Sequence, residues 1–244
     1  MDVLNEGGAR PLGREPKRAG GALALRPVPA DALILVPLRN AVLFPGVMTP
    51  ITIGRSSSVA AAREAARGDK RVGFLLQRDP QKSEVGPDDV HWVGTAGQIV
   101  RLVSAGEGVH HLVVQGQERF RVLEFLEGWP YLVARVAMVE AAEPDADARG
   151  PELEARFMQL KAQAVEAIHL LPNAPDELAG VVQTIDSPGQ LCDMVANLLD
   201  VKNEDKQEVL ECFDLRRRLD KVLVLLGARV EVLRLSKEIG DKTK

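Results

Sequence analysis

Four histidines, two cysteines, a run of three serines and a triple arginine are the residues with chemical potential here, and their spacing gives none of them a catalytic partner. His91, His110, His111 and His169 form no H-E-x-x-H pair, and no cysteine lies near one. A structural zinc site takes about four ligands at recognisable spacing. His110 and His111 are adjacent on a predicted strand, so they point to opposite faces and cannot share one metal. Cys192 and Cys212 fall on predicted helices and read as small core residues. Ser56, Ser57 and Ser58 lack the G-x-S-x-G nucleophile elbow and stand where a helix cap is needed. Gly240-Asp241-Lys242-Thr243 lacks the upstream glycine and spacing of a phosphate loop. Arg216, Arg217 and Arg218 are consecutive, so on a helix they spread over roughly 300° and read as a solvated face. No catalytic, cofactor-binding or metal-binding residue is therefore expected in this chain.

The balance of charge narrows the partners. The 244 residues carry a formal net charge of -4. Residues 31–151 hold 13 basic and 15 acidic side chains, and residues 152–244 hold 13 and 17. Neither half suits a phosphate backbone, so nucleic acid is disfavoured. A hydrophobic share of 45% excludes global disorder. No apolar run approaches the ~20 residues of a membrane span, so no membrane partner is expected. Two cysteines and no secretory signal point to a reducing compartment and a cytoplasmic location.

The elements divide the chain in four. Residues 1–30 hold nine Gly or Pro and no aromatic, which predicts a flexible tail. Residues 31–140 carry seven of the nine aromatics, and short apolar runs there alternate with turn signals. Leu33–Val36, Thr49–Ile53, Val72–Gln77, Thr95–Val103, His110–Val114, Arg119–Phe125 and Tyr131–Val139 read as strands. Turns are expected at Ala105–Gly108, Gln115–Gln117 and Glu127–Pro130. One helix, Val59–Arg67, is expected between a Ser56–Ser58 cap and a Gly68 stop. Seven short strands with tight connections predict a closed or nearly closed β-barrel, which removes exposed edges. Residues 141–151, AAEPDADARGP, read as a linker.

Residues 152–244 predict helices, making the whole chain α+β. Leu153, Phe157, Leu160, Ala164, Ile168 and Leu171 form one apolar face. Asp176–Asp186 predicts a second helix with Leu178, Val181, Val182 and Ile185 inward. Ser187-Pro188 opens a third, Gly189–Leu199. Asn203 caps a fourth, with Leu210 and Phe213 inward. Leu215, Leu219, Val222, Leu226, Val230 and Leu233 stripe a long last helix of roughly 37 Å, more than a small bundle covers. Part of it should project or meet something outside the chain.

Pro37-Leu38-Arg39-Asn40-Ala41-Val42-Leu43-Phe44-Pro45-Gly46, followed by Met48, Pro50, Ile51 and Ile53-Gly54-Arg55, resembles the opening of the N-terminal domain of the ATP-dependent protease Lon. Val93-Gly94-Thr95-Ala96 with Ile99, Gly116 with Arg119-Phe120, and Pro130-Tyr131 with Ala134 and Val136 follow in the order of that family. So do Ser187-Pro188-Gly189-Gln190-Leu191, Lys206 to Glu211, and Arg218-Leu219. The resemblance spans about residues 33 to 244. It implies a PUA-like β-barrel followed by a helical bundle ending in a long helix.

The resemblance also implies a non-catalytic module that recognises unfolded or degron-bearing proteins and supports hexamer assembly. Clients would pass to an ATPase ring and a Ser-Lys protease chamber. ATP and magnesium are then expected only downstream, and this chain is expected to be a fragment of a longer protease. Leu43, Phe44, Pro45, Val47 and Met48 are the candidate substrate-binding residues, carried on a proline-stiffened loop. The same loop could instead plug one end of the barrel. Arg39, Asn40 and Arg55 are assigned to satisfying buried backbone groups. Two other readings stand beside the leading one: a stand-alone regulator of the same domain type, or an RNA-binding β-barrel.

Overall fold

The computed structural model describes residues 26–69, 71–106, 108–140, 143–172, 174–175 and 177–242. Six strands are present: β1 (Ala32–Leu38), β2 (Met48–Ile53), β3 (Arg71–Leu76), β4 (Val93–Gly106), β5 (Val109–Leu126) and β6 (Leu132–Val139). They form one mixed sheet in the order β2-β5-β4-β3-β1-β6, and β5 also pairs with β6. The pairings of β5, β4, β3, β1 and β6 thus return to their start, with β2 attached to β5. Only β1 and β3 run parallel. Their crossover carries β2 and the helix α1 (Ser56–Arg67). Ala61, Ala62 and Ala65 of α1 are buried with Val36, Phe74 and Ile99 of the sheet. Small side chains let the helix lie close to the strands.

The sequence predicted seven strands, and the described residues form six. His110–Val114 and Arg119–Phe125 are one strand, β5. Gln115-Gly116-Gln117 is not a turn. Gly116 pairs with Gly97 while Glu118 pairs with Ala96, so Gln117 is the extra residue of a bulge. Gly, which usually punctuates, here serves a close approach instead. The expected turns at Gly106, Gly108 and Gly128 do stand at positive φ. Pro50 lies on β2, which pairs with β5 alone, where a missing N–H is tolerated.

Five further helices follow: α2 (Pro151–Leu170), α3 (Glu177–Thr184), α4 (Pro188–Leu198), α5 (Asn203–Glu211) and α6 (Leu215–Lys242). Leu153, Phe157, Leu160 and Ala164 of α2 are buried with Leu219, Val222, Leu226 and Val230 of α6, as the periodicity predicts. Val42, Phe44 and Leu76 belong to the same cluster, so the sheet part and the helical part share a core. The expected tail falls outside the described residues up to residue 25. Within 26–30, Val28 packs on the sheet core and Trp129 Nε1 donates to the Arg26 carbonyl at 2.7 Å. Arg149, in the expected linker, lies over the Phe157 ring at 5.3 Å.

Several local expectations change. Arg55 is the N-cap of α1, and its side chain makes no cap bond; the three serines form the first turn. Asn203 is the first residue of α5, not its cap. Cys212 and Phe213 lie just past α5, and Phe213 is exposed rather than inward. Leu178 and Val181 of α3 are exposed, leaving Val182 as that helix's buried residue. Arg218 is buried, unlike Arg216 and Arg217.

Candidate functional site

The proline-rich segment between β1 and β2 docks at the junction of sheet and helices. Gly46 N donates to Gly116 O at 3.0 Å, and Gly116 N donates to Val47 O at 2.8 Å. A Cβ on Gly116 would stand 2.1 Å from the Phe44 carbonyl oxygen, so only glycine admits the segment there. Thr95 Oγ1 donates to Leu43 O at 2.6 Å.

This anchoring divides the five candidate residues. Phe44 is 0% exposed and Leu43 is also buried. In this arrangement neither offers an apolar surface to a client. They fill the cores on the two sides of the junction, Leu43 among sheet residues and Phe44 among helix residues. Pro45 and Val47 are partly buried, while Met48 is 56% exposed. Spacing could not separate these roles, because all five sit in one apolar run.

Three residues after the Gly116 contact with Phe44, β5 reaches the helices through Arg119. Arg119, 5% exposed, donates from Nη1 to Asp193 Oδ2 at 2.7 Å and from Nη2 to Asp193 Oδ1 at 2.5 Å. Its Nε donates to Leu210 O at 3.0 Å. Arg218 approaches the same carboxylate at 4.0 Å, and its Nε has no hydrogen-bond partner. Such fork-to-carboxylate bonds are strong and directional. Glu143 accepts from Ser187 Oγ at 2.8 Å and Gly189 N at 3.1 Å, occupying the N-terminus of α4. Gln207 donates to Val93 O at 2.9 Å, tying α5 to β4. A cleft of about 260 Å³ opens beside these groups. Burial and the neighbouring Asp193 push the Cys192 thiol up to about 12, so it stays protonated. Parts of four motifs that carried the resemblance, at Phe44-Pro45-Gly46, Gly116 with Arg119, Ser187 to Gln190 and Gln207 to Leu210, therefore meet at one clamped junction.

A second feature was not predicted. An apolar groove of about 410 Å³ runs between α2, α3, α4 and α6. Ile168, Leu171, Leu178, Val181, Met194 and Leu198 line it. Leu198 is 73% exposed. Asp200 and Arg229 stand at its rim, 3.8 Å apart. The sequence held no local signal for it: Leu178, Val181, Val182 and Ile185 recur at the spacing of one inward helix face.

The histidines separate as expected. His110 is buried and His111 accepts or donates at 3.0 Å with Thr52 on the other face. Among the described residues no group of three or more His, Cys, Asp or Glu could hold a metal ion. Among them no helix is long and apolar enough to cross a membrane.

The residues form an α+β module with a clamped junction and an open apolar groove, and comparison with known families places it. The family model described as the ATP-dependent protease La (LON) substrate-binding domain matches residues 32–228. The chain belongs to the Lon substrate-binding domain family. It is 47% identical over 229 residues to a Lon protease of Methylocella silvestris, covering 94% of this chain and 28% of that protein. It is 44% identical over 220 residues to a Lon protease of Phenylobacterium zucineum, covering 90% and 27%. The chain thus spans little more than a quarter of the length of these relatives.

Among solved structures, the N-terminal domain of a Mycobacterium avium complex Lon protease aligns with a TM-score of 0.65 at 18% identity, covering 80% of this chain and 98% of that one. A Lon N-terminal domain protein from Xanthomonas campestris aligns at 0.55 and 22%, covering 79% and 97%. These likenesses bear on the fold alone.

Proposed function

We propose that this chain captures unfolded or degron-bearing polypeptides for a Lon-type protease. The apolar groove of the helical part carries the reading. It exposes Leu178, Val181 and Leu198 side by side, and an unfolded client offers apolar side chains that gain by leaving water. Pro45, Val47 and Met48 offer a second, smaller contact. Captured segments pass to ATPase and Ser-Lys protease parts of a longer cytoplasmic protein, where ATP and magnesium act. Self-association into a hexamer multiplies weak single contacts into useful avidity. The exposed Val224, Val232 and Leu235 on α6 support a role for that helix in assembly.

A fluorescently labelled, permanently unfolded client titrated into the 244-residue chain tests the capture role. Saturable weak binding is expected, with Leu178→Asp and Leu198→Asp reducing it by roughly tenfold. Both side chains are exposed, so circular dichroism should show unchanged folding. Met48→Asp should reduce binding less. Wild-type affinity in both groove variants would overturn the groove assignment, and no saturable binding at all would overturn the capture role.

A further inference from the structure

We infer that the cleft at the junction of sheet and helices binds a carboxylate carried on a polypeptide, and that Glu143 holds its place in this arrangement. The cleft, of about 260 Å³, is smaller than the roughly 300–1,000 Å³ of sites for drug-sized ligands, so it suits one residue rather than a long segment. Pro45, Val139, Phe213 and Leu215 give it apolar walls. Its charged lining is Glu118, Arg119, Glu140, Glu143, Asp193 and Arg218. Glu118 and Glu140 are exposed, and Glu118 pairs with Arg71 at 2.8 Å, so water and salt screen both. The buried charges are Arg119, Arg218 and Asp193, two guanidiniums against one carboxylate.

One of these groups is short of a partner. Arg218 is 6% exposed and lines the cleft, and its Nε is buried without a hydrogen-bond partner. Its contact with Asp193 is 4.0 Å, beyond hydrogen-bond reach, because Arg119 engages both oxygens of that carboxylate. A buried charge without a bonded counter-charge is costly, so the site is one carboxylate short. Glu143 comes close to supplying it. Its oxygens accept from Ser187 Oγ and Gly189 N rather than from Arg218. A Cβ on residue 189 would stand 3.0 Å from Glu143 Oε2 and 3.3 Å from Arg218 Nη2, so glycine there leaves the guanidinium approachable. An incoming carboxylate gains charge-assisted bonds to Arg218 that Glu143 does not make, and displaces Glu143 from the cleft. A chain end and an acidic side chain both offer this chemistry. That the carboxylate rides on a polypeptide rests on the capture reading; the cleft itself shares no lining residue with the groove between the helices.

Chemical-shift titration of the nitrogen-15-labelled 244-residue chain tests it with N-acetylleucine, with the neutral N-acetylleucinamide, and with the α-amide of N-acetylaspartate. Saturable shifts at the Gly189 and Gln190 amides, with millimolar midpoints, are expected from a carboxylate probe and not from the neutral one. Binding of N-acetylleucine alone supports chain ends as the source, and binding of the aspartate probe supports acidic side chains. Arg218→Met should weaken binding by roughly tenfold or more. Glu143→Gln should tighten it by roughly threefold, because a resident competitor lowers apparent affinity by the fraction of sites it fills. Glu140→Gln removes the same charge from the exposed rim and should change affinity by less than about twofold. No saturable shift from either carboxylate overturns the proposal. So does equal binding of the neutral amide, wild-type affinity in Arg218→Met, or an equal gain in Glu140→Gln and Glu143→Gln. If Arg218→Met fails to fold by circular dichroism, Glu143→Gln decides. Leu198→Asp should bind the probes normally, so a failure of client capture is read separately.

Discussion

Asp193→Ala should be the most damaging single substitution at the junction. Its carboxylate holds Arg119 through two bonds at 2.7 and 2.5 Å and faces Arg218 at 4.0 Å. Both arginines are buried. Removing the carboxylate leaves two buried guanidiniums without a counter-charge, and breaking a buried pair this way costs about 3–5 kcal/mol. With a urea m-value of about 3 kcal/mol/M, the midpoint should fall by roughly 1–1.7 M. Arg119→Met should cost less, because Asp193 keeps Arg218 as a partner, although the bond to Leu210 O is lost. Arg218→Met should cost least, since its contact is the longest. Two probes report separately. Trp92 and Trp129 follow the sheet part by fluorescence, and the signal at 222 nm follows the helices. The two transitions should separate in Asp193→Ala, because the clamp between the parts is gone. A loss under about 1 kcal/mol for Asp193→Ala, or a larger one for Arg119→Met, would refute the reasoning.

Three further outcomes are expected. Gly116→Ala forces a methyl to within 2.1 Å of the Phe44 carbonyl oxygen, so the 44–47 segment must move; a loss of roughly 2–4 kcal/mol is expected in urea melts, and a neutral result would contradict the docking. Under native conditions a thiol reagent should modify Cys212 at once and leave Cys192 untouched, whose buried thiol lies near 12; both should react in denaturant, and fast modification of two native thiols would contradict the burial. The Asp89 carboxylate is held below the ordinary aspartate value by its bond from Lys82, then by Gly86 N–H. Its contribution is therefore present above the unfolded value and lost as pH falls through the lower folded one. An NMR titration midpoint at or above the ordinary aspartate value would contradict that, and Asp89→Asn should remove only this residue's share of the pH dependence, since Glu208 is also held low by Lys221.

Much of the architecture is legible in the residues, because local periodicity reports local structure. Period-two runs place the strands, and steps of three and four place α2 and the stripe of α6. Gly106, Gly108 and Gly128 mark real turns, and Ser187 caps α4 by accepting from Gln190 N at 2.9 Å. Adjacency alone puts His110 and His111 on opposite faces. Ordered motifs identify the family without any coordinates.

What covers an apolar face is a different question, and periodicity is silent on it. Leu43 and Phe44 look like Met48 in the chain, but the docking on Gly116 buries the first two and leaves the third in water. Leu178 and Val181 have an inward pattern, yet α2, α4 and α6 close only part of that face and leave a groove. Arg119 and Asp193 stand 74 residues apart, and nothing local pairs them. Gly116 carries the same letter as any turn glycine, and only the incoming Phe44 carbonyl shows that it permits contact rather than reversal. Burial and long-range charge pairing are properties of the packed arrangement, so the clamped junction and the open groove emerge only when the elements pack.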